Sequence, residues 1–163
     1  MEQKQNAIII DIDGTLADID HRLYLIKKTP KDWEGFHKKG TEDKPIEDNV
    51  AAIREALFVM RASPVFVTGR PEQSRDITVP WLLKNFFQLD TYGETEEKNV
   101  NGVLFMRPEG DFREDFVVKK EVHDNHLIET YNILRVYEDR PQVIRMWEEL
   151  GYPVIDVGPG YEF

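Results

Sequence analysis

A chain of 163 residues with 31 acidic and 21 basic side chains, net charge −10, is long enough to bury one sizeable core and too short for two. That balance argues against a protein coating nucleic acid with a broad basic surface, while leaving open the gripping of a single phosphate. The absence of cysteine excludes disulfides, thiolate metal sites and thiol catalysis, and a reducing, cytoplasmic setting is expected.

Residues 1–163 read as a single unit. The opening MEQKQNAIIID is too polar for a secretory core or a spanning helix, so no membrane is expected. Residues 7–10 form a short continuous apolar run, the pattern of a strand buried on both faces of a parallel sheet. It runs straight into DIDGTLADID, where four aspartates surround Gly14 and Thr15. The next stretch, about 16–45, is too long for a simple loop and should hold a small helical, cap-like insertion. There Arg22, Lys27, Lys28, Lys31, Lys38 and Lys39 face only Asp32 and Glu34 between residues 21 and 40. They make either a local positive patch or a solvated face.

From Ile46 the spacing of Val50, Ile53, Leu57 and Met60 is helical, and residues 62–64 end that helix before VFVTGR, a second strand. Pro71 can open a helix, whereas Pro80 is expected to interrupt or restart it ahead of WLLKNFF. A third strand is expected at 103–106, then a helix through REDFVVKKEVHDNHLIETY, then a fourth strand in ILRVYEDR. Pro141 opens a helix with Val143, Ile144, Trp147 and Leu150 on one face, Gly151 closes it, and YPVIDVG supplies a fifth strand. Strands alternating with helices imply an α/β fold, a parallel sheet covered on both faces.

Ligands of such sheets bind beyond the strand C-termini, at a switch in strand order. Those termini carry Asp11 and Asp13, then Thr68, Gly69 and Arg70, then Arg107, then Glu138 and Asp139. Aspartates two apart on an extended chain point the same way and repel, so they need a cation. Asp11 with Asp139, and Glu138 nearby, offers the hard oxygen set that suits Mg²⁺ beside a phosphate. Gly14 and Thr15 allow a sharp turn whose amides can face an anion. Competing motifs fail on spacing: DIDGT reaches glycine too early for a calcium loop, GFHKKGTE lacks the lysine and hydroxyl pair of a P-loop, and no G-x-S-x-G is present. His123 and His126, three apart, are expected at the surface or as caps.

DIDGT, TGR, a downstream lysine and ED, in this order at strand ends, resemble the four motifs of the haloacid dehalogenase (HAD) phosphohydrolase superfamily. The resemblance implies a HAD-like Rossmannoid sheet and an Mg²⁺-dependent phosphomonoesterase. In it Asp11 is the nucleophile, Asp13 the acid and base and, through its carbonyl, a metal ligand. Thr68 and Gly69 hold the phosphate, Lys119 offsets charge, Asp139 binds the metal and Glu138 acts through water. Lys120, adjoining Lys119, is the other candidate for the motif lysine, and Asp115 with Lys119 could be a plain i,i+4 surface pair.

MRPEGDFREDFVVKKEV and EDRPQVIRMWEELG are similar to segments of the 3'-phosphatase domain of bacteriophage polynucleotide kinase-phosphatase, and VGPGYEF loosely matches its final glycine-acid-phenylalanine. By position the likeness adds Arg22, Arg70 and Asp115 to the phosphate site, with the arginines as clamps on a dianionic phosphate. It implies 3'-phosphorylated nucleic acid ends or nucleotides as substrate, with a 5'-nucleotide or other small phosphorylated metabolite as the alternative, and a separate kinase or ligase as a possible partner. Glu138 stands where that family usually has aspartate, and the kinase half is not in this chain. The insertion differs too: its Tyr24, Trp33 and Phe36 either stack on a base or form the insertion's own core.

Overall fold

The structure, a computed structural model, describes residues 2–158, 160 and 161. The first apolar run extends backwards into β1 (Gln5–Ile10), the centre of a five-stranded parallel sheet. Around it stand β4 (Ser63–Pro71), β5 (Leu104–Arg107), β6 (Tyr131–Glu138) and β7 (Val154–Asp156), in the order β5-β4-β1-β6-β7. Successive β1 side chains serve opposite layers, as the two-residue period requires. Ile8 and Ile10 join Val50 and Ile53 of α3 (Glu47–Val59) and Leu82 and Leu83 of α4 (Arg75–Asn85). Ala7 and Ile9 pack on the other side with Val143, Met146 and Trp147 of α7 (Pro141–Glu149). Both faces are thus dry, which is why these strands read as unbroken apolar runs.

Pro80 lies inside α4 without breaking it, contrary to the expectation from its missing N–H. Its neighbours Val79, Trp81, Leu82 and Leu83 are all buried, and that packing outweighs the lost hydrogen bond. The long helix expected after β5 is shorter: α6 (Asp115–Val122) widens into a π-type turn at His123–Leu127. His123 sits there in the interior, not at the surface, hydrogen-bonded to Tyr152 Oη at 2.7 Å and edge-on to Trp147. His126 stacks on Phe105. An unforeseen helix, α5 (Glu94–Asn101), begins where Glu96 Oε2 accepts the Gly93 amide at 2.9 Å, half of a capping box readable in GETE.

The insertion is closed at its neck by β2 (Ala17–Asp18) and β3 (Lys44–Pro45), antiparallel, with Ala17 opposite Pro45. Between them lie α1 (Tyr24–Lys27) and α2 (Trp33–Lys38), the latter capped by Asp32 accepting the Gly35 amide at 2.8 Å. Ile19, Leu23, Leu25, Ile26 and Phe36 form its small core, while Tyr24 is exposed. Its lysines are solvated or half-exposed; Arg22 alone of the basic cluster turns inward.

Candidate active site

The strands on either side of β1 carry the other motifs, so Asp11, Thr68 and Asp139 arrive side by side. After β1 the chain reverses through Gly14, at φ +84°, with the Gly14 amide on Ala17 O at 2.9 Å. A Cβ at Gly14 would stand 2.2 Å from Asp139 Oδ2, so glycine is required both for the turn and for the closeness of that carboxylate.

One half of the site is a buried carboxylate cluster around one ammonium. Lys119 Nζ donates to Asp11 Oδ1 and Glu138 Oε2, both at 2.8 Å, and lies 3.5 Å from Asp115 Oδ2. Thr15 Oγ1 donates to Asp11 Oδ2 at 2.9 Å. Lys120 instead points outward to Asp124, which leaves Lys119 as the lysine at the site, and its contact with Asp115 is buried. Asp11, Glu138 and Asp139 each bring an oxygen within 4.8 Å of the others. Glu138 Oε1 accepts the Asp139 and Arg140 amides, whereas both Asp139 carboxylate oxygens are buried with no donor.

Burial, then the charge of Glu138, pushes the Asp11 carboxyl up to about 7 against the pull of Lys119. Burial, then Asp11 and Glu138, raises Asp139 to about 10. Burial alone would lower Lys119, but Asp11, Asp115 and Glu138 outweigh it and hold the ammonium charged. Orphaned buried oxygens in an all-carboxylate set, without sulfur or imidazole, fit a hard divalent cation.

The other half belongs to Asp13 and was only partly foreseen. Asp13 Oδ1 accepts from Arg70 Nη2 at 2.6 Å, Arg70 Nε at 2.9 Å and Arg22 Nη2 at 3.0 Å. The same guanidinium groups grip Asp43 Oδ2 at 2.7 and 2.8 Å, with Arg22 Nε on Asp43 Oδ1 at 2.8 Å. Arg22 Nη1 goes to Phe36 O, and the guanidinium lies 4.1 Å above the Phe36 ring. The donors of Arg22 are thus divided among Asp43, Phe36 O and Asp13. Burial favours the neutral Asp13 acid, but Arg70 and Arg22 overwhelm it and depress the carboxyl far below its usual range. Asp43, absent from the sequence-derived site, is the counter-ion that makes this arginine pair tolerable in the interior. Its backbone carbonyl in turn accepts the Trp81 indole N–H at 2.8 Å.

Thr68 and Gly69 occupy the irregular end of β4, where its register with β5 slips between Val67 and Pro71. Thr68 Oγ1 accepts the Arg70 amide at 3.2 Å. A Cβ at Gly69 would come within 2.6 Å of Asp115 Oδ1. Asp115 also meets Arg107 at 3.3 Å and Arg140 at 3.5 Å, so it anchors cations on both sides. Asp11, Asp13, Gly69, Arg70 and Asp139 line the base of a cleft of about 460 Å³. Its upper lining includes Trp33, His37, Phe112 and Tyr161. Tyr161 Oη donates to Asp20 Oδ1 at 2.6 Å. Glu162 and Phe163, the end of the matched tail motif, lie outside the described residues.

The family model of the polynucleotide kinase PNKP phosphatase domain matches residues 5–162. The chain belongs to this family. It is a phosphatase of the HAD type, a phosphoric monoester hydrolase. A protein of Autographa californica nuclear polyhedrosis virus, named as a candidate bifunctional polynucleotide kinase/RNA ligase, is 28% identical over 149 residues, 91% of this chain and 19% of the relative. A chain of the Pnkp1/Rnl/Hen1 RNA repair complex superposes with TM-score 0.74 at 25% identity, over 98% of this chain and 44% of that one. This chain thus spans less than half the length of either relative. The class C acid phosphatase of Bacillus anthracis, at 15% identity and TM-score 0.63 over 98% of this chain and 69% of that one, shares the fold. No helix of the described residues is long and apolar enough to cross a membrane.

Proposed function

We propose that this domain is an Mg²⁺-dependent phosphatase that removes the 3'-terminal phosphate of nucleic acid ends or 3'-nucleotides through an aspartyl-phosphate on Asp11. The observation that carries the chemistry is the buried Asp11–Lys119–Glu138 contact set beside the donorless carboxylate of Asp139. The 3'-end assignment is supported by membership of the polynucleotide kinase phosphatase family and by the RNA-repair context of the structural relative.

Asp11 and Asp139, with the Asp13 carbonyl and with Glu138 through water, would hold the ion. Bound there, Mg²⁺ would supply positive charge against the phosphate. Asp11 Oδ attacks phosphorus in line as the bond to the alcohol oxygen breaks, and Asp13 delivers a proton to that oxygen. Water then attacks the acyl phosphate, giving its proton to Asp13, and phosphate leaves with Asp11 restored. Lys119 offsets the nucleophile's charge, while the Thr68 hydroxyl and Gly69 amide serve the phosphoryl oxygens. A dianionic phosphate arriving beside Asp13 raises the proton affinity that Arg22 and Arg70 depress, which brings the carboxyl towards a useful range. We further propose that a separate kinase or ligase works on the same ends.

The test is a panel of 3'-phosphorylated and 5'-phosphorylated oligonucleotides, mononucleotides and sugar phosphates, each with Mg²⁺ and with chelator. Release restricted to 3'-phosphates and abolished by chelation is expected. Equal turnover of sugar phosphates with none of oligonucleotides would assign a small metabolite instead.

A further inference from the structure

The insertion brings to the cleft one polar side chain that no step of the phosphate chemistry uses. His37, on α2, lines the cleft together with Asp13, Arg70 and Arg107. Its ring is fixed from two sides: Trp33 stacks on it at 5.9 Å with the planes 21° apart, and Phe36 meets it edge-on at 5.5 Å. These aromatics of the insertion therefore hold an imidazole in place. Its Nδ1 is buried and has no hydrogen-bond partner among the described residues. A buried polar atom left unpaired is costly, and a ligand that pairs it removes the cost.

The chemistry of the ring narrows the choice of partner. Burial, opposed by Asp13 and reinforced by Arg22, Arg70 and Arg107, lowers His37 to about 4. At neutral pH the imidazole is therefore uncharged, with one N–H and one lone pair. A phosphate oxygen only accepts, and the charged Arg70 and Lys119 serve it better. A hydroxyl both donates and accepts, so it can pair with a nitrogen in either tautomer. Among the charges acting on the ring, that of Asp13 is the strongest. His37 thus stands on the side of the cleft where the departing alcohol oxygen meets its acid. In a ribonucleotide the carbon next to that oxygen carries a second hydroxyl, and in a deoxyribonucleotide it carries none.

Resting on the 3'-phosphatase reading, we propose that His37 Nδ1 accepts a hydrogen bond from the ribose 2'-hydroxyl beside the scissile 3'-phosphate, so that the enzyme selects ribonucleotide over deoxyribonucleotide ends. The hydroxyl pairs an atom that a deoxyribose end leaves buried and unpaired. A site built to bond a hydroxyl discriminates against the analogue that lacks it. The selection reads the sugar and is indifferent to the base.

The experiment compares kcat/KM for two 3'-phosphorylated oligonucleotides that differ only in the terminal sugar, ribose against deoxyribose. The wild type should favour ribose by roughly tenfold or more. A terminal 2'-fluoro sugar, which cannot donate, should behave as deoxyribose does. His37→Phe keeps a ring against Trp33 but removes both nitrogens, and should bring the ratio towards unity. His37→Asn, whose amide oxygen can accept in place of Nδ1, should restore part of it. A purely structural His37 would instead lower both sugars together and leave the ratio intact. Equal use of the two sugars by the wild type, a ratio unchanged in His37→Phe, or full activity on the 2'-fluoro end would overturn the proposal. Binding separates it from the catalytic reading. In Asp11→Asn protein, ribose and deoxyribose 3'-phosphorylated dinucleotides should differ in Kd by a similar factor, and adding His37→Phe should erase the difference. Equal Kd values would overturn the sugar reading. A clear Kd difference, with no 3'-phosphate release from either sugar by the wild type, would instead fault the catalytic one.

Discussion

Replacing Asp11 by asparagine should abolish phosphate release and, in chelator, make the protein more stable. Burial, then Glu138, pushes the Asp11 carboxyl up to about 7 from an ordinary 3.8, so its ionised form is disfavoured more than Lys119 favours it. A raised acid pKa makes the folded state hold a proton that the unfolded chain has released. Stability therefore falls as pH rises from about 4 to about 7 and stays lowered above that. A shift of about 3 pH units corresponds to roughly 4 kcal/mol. Asparagine keeps the shape and the hydrogen bond from Thr15 but removes this cost, while Lys119 retains Glu138 at 2.8 Å. The expected gain is thus about 4 kcal/mol near pH 8, about 10 °C in Tm for a domain of this size, shrinking to nothing near pH 4. Urea titrations of both proteins in chelator, across that pH range, measure it. A variant less stable than the wild type at pH 8, or a gain independent of pH, would refute the account of Asp11 as a charge held in the fold against its own preference.

Mg²⁺ affinity should climb steadily with pH, because Asp11 and Asp139, raised to about 7 and about 10, must shed protons to bind an ion; calorimetry in buffers of differing ionisation enthalpy should detect the released protons. Asp139→Asn should lose Mg²⁺-dependent stabilisation yet fold at least as well in chelator, since its two buried oxygens have no donor to lose. Gly158→Ala should weaken Mg²⁺ activation by about tenfold or more, a cost of at least about 1.4 kcal/mol, since a Cβ there would stand 2.0 Å from Asp139 Cβ and 2.8 Å from Gly14 O; the Mg²⁺ dependence of turnover reads this directly. Asp43→Asn leaves two buried guanidinium groups with Asp13 as the one carboxylate they share and should cost about 3–5 kcal/mol, seen as a fall in urea midpoint.

What could be read from the sequence was mainly what neighbouring residues determine. The doubly buried strands, the Pro141 start and the acidic strand ends follow from local pattern, and the structure assembles them at one sheet edge. The half capping box of α5 is equally local, lying wholly within GETE. Asp43 was out of reach for a different reason: it meets Arg22 and Arg70 across 21 and 27 residues, and nothing in TEDKP distinguishes a buried acid from a solvated one. Choosing between Lys119 and Lys120 likewise needed the position of α6 against the strand ends, which sets one ammonium among three carboxylates and the other in solvent. Arg22 and Arg70 were found as residues but not as partners, because the pattern shows the donors and not what already occupies them.

Asp11 and Asp13 share one strand end, yet their proton affinities move in opposite directions, and the cause is which element reaches each. Lys119 comes from α6 and must divide its charge among Asp11, Glu138 and Asp115, so Asp11 stays above its ordinary range. Asp13 receives two guanidinium groups, one of them, Arg22, supplied by the insertion, as is the Asp43 that balances them. Two carboxylates driven apart by their surroundings can take different chemical parts at one pH. On the proposed mechanism, the insertion therefore sets the proton affinity of the acid–base residue. Exchanging residues 16–45 for another segment of equal length would then alter the pH dependence of turnover even where the cleft still admits substrate.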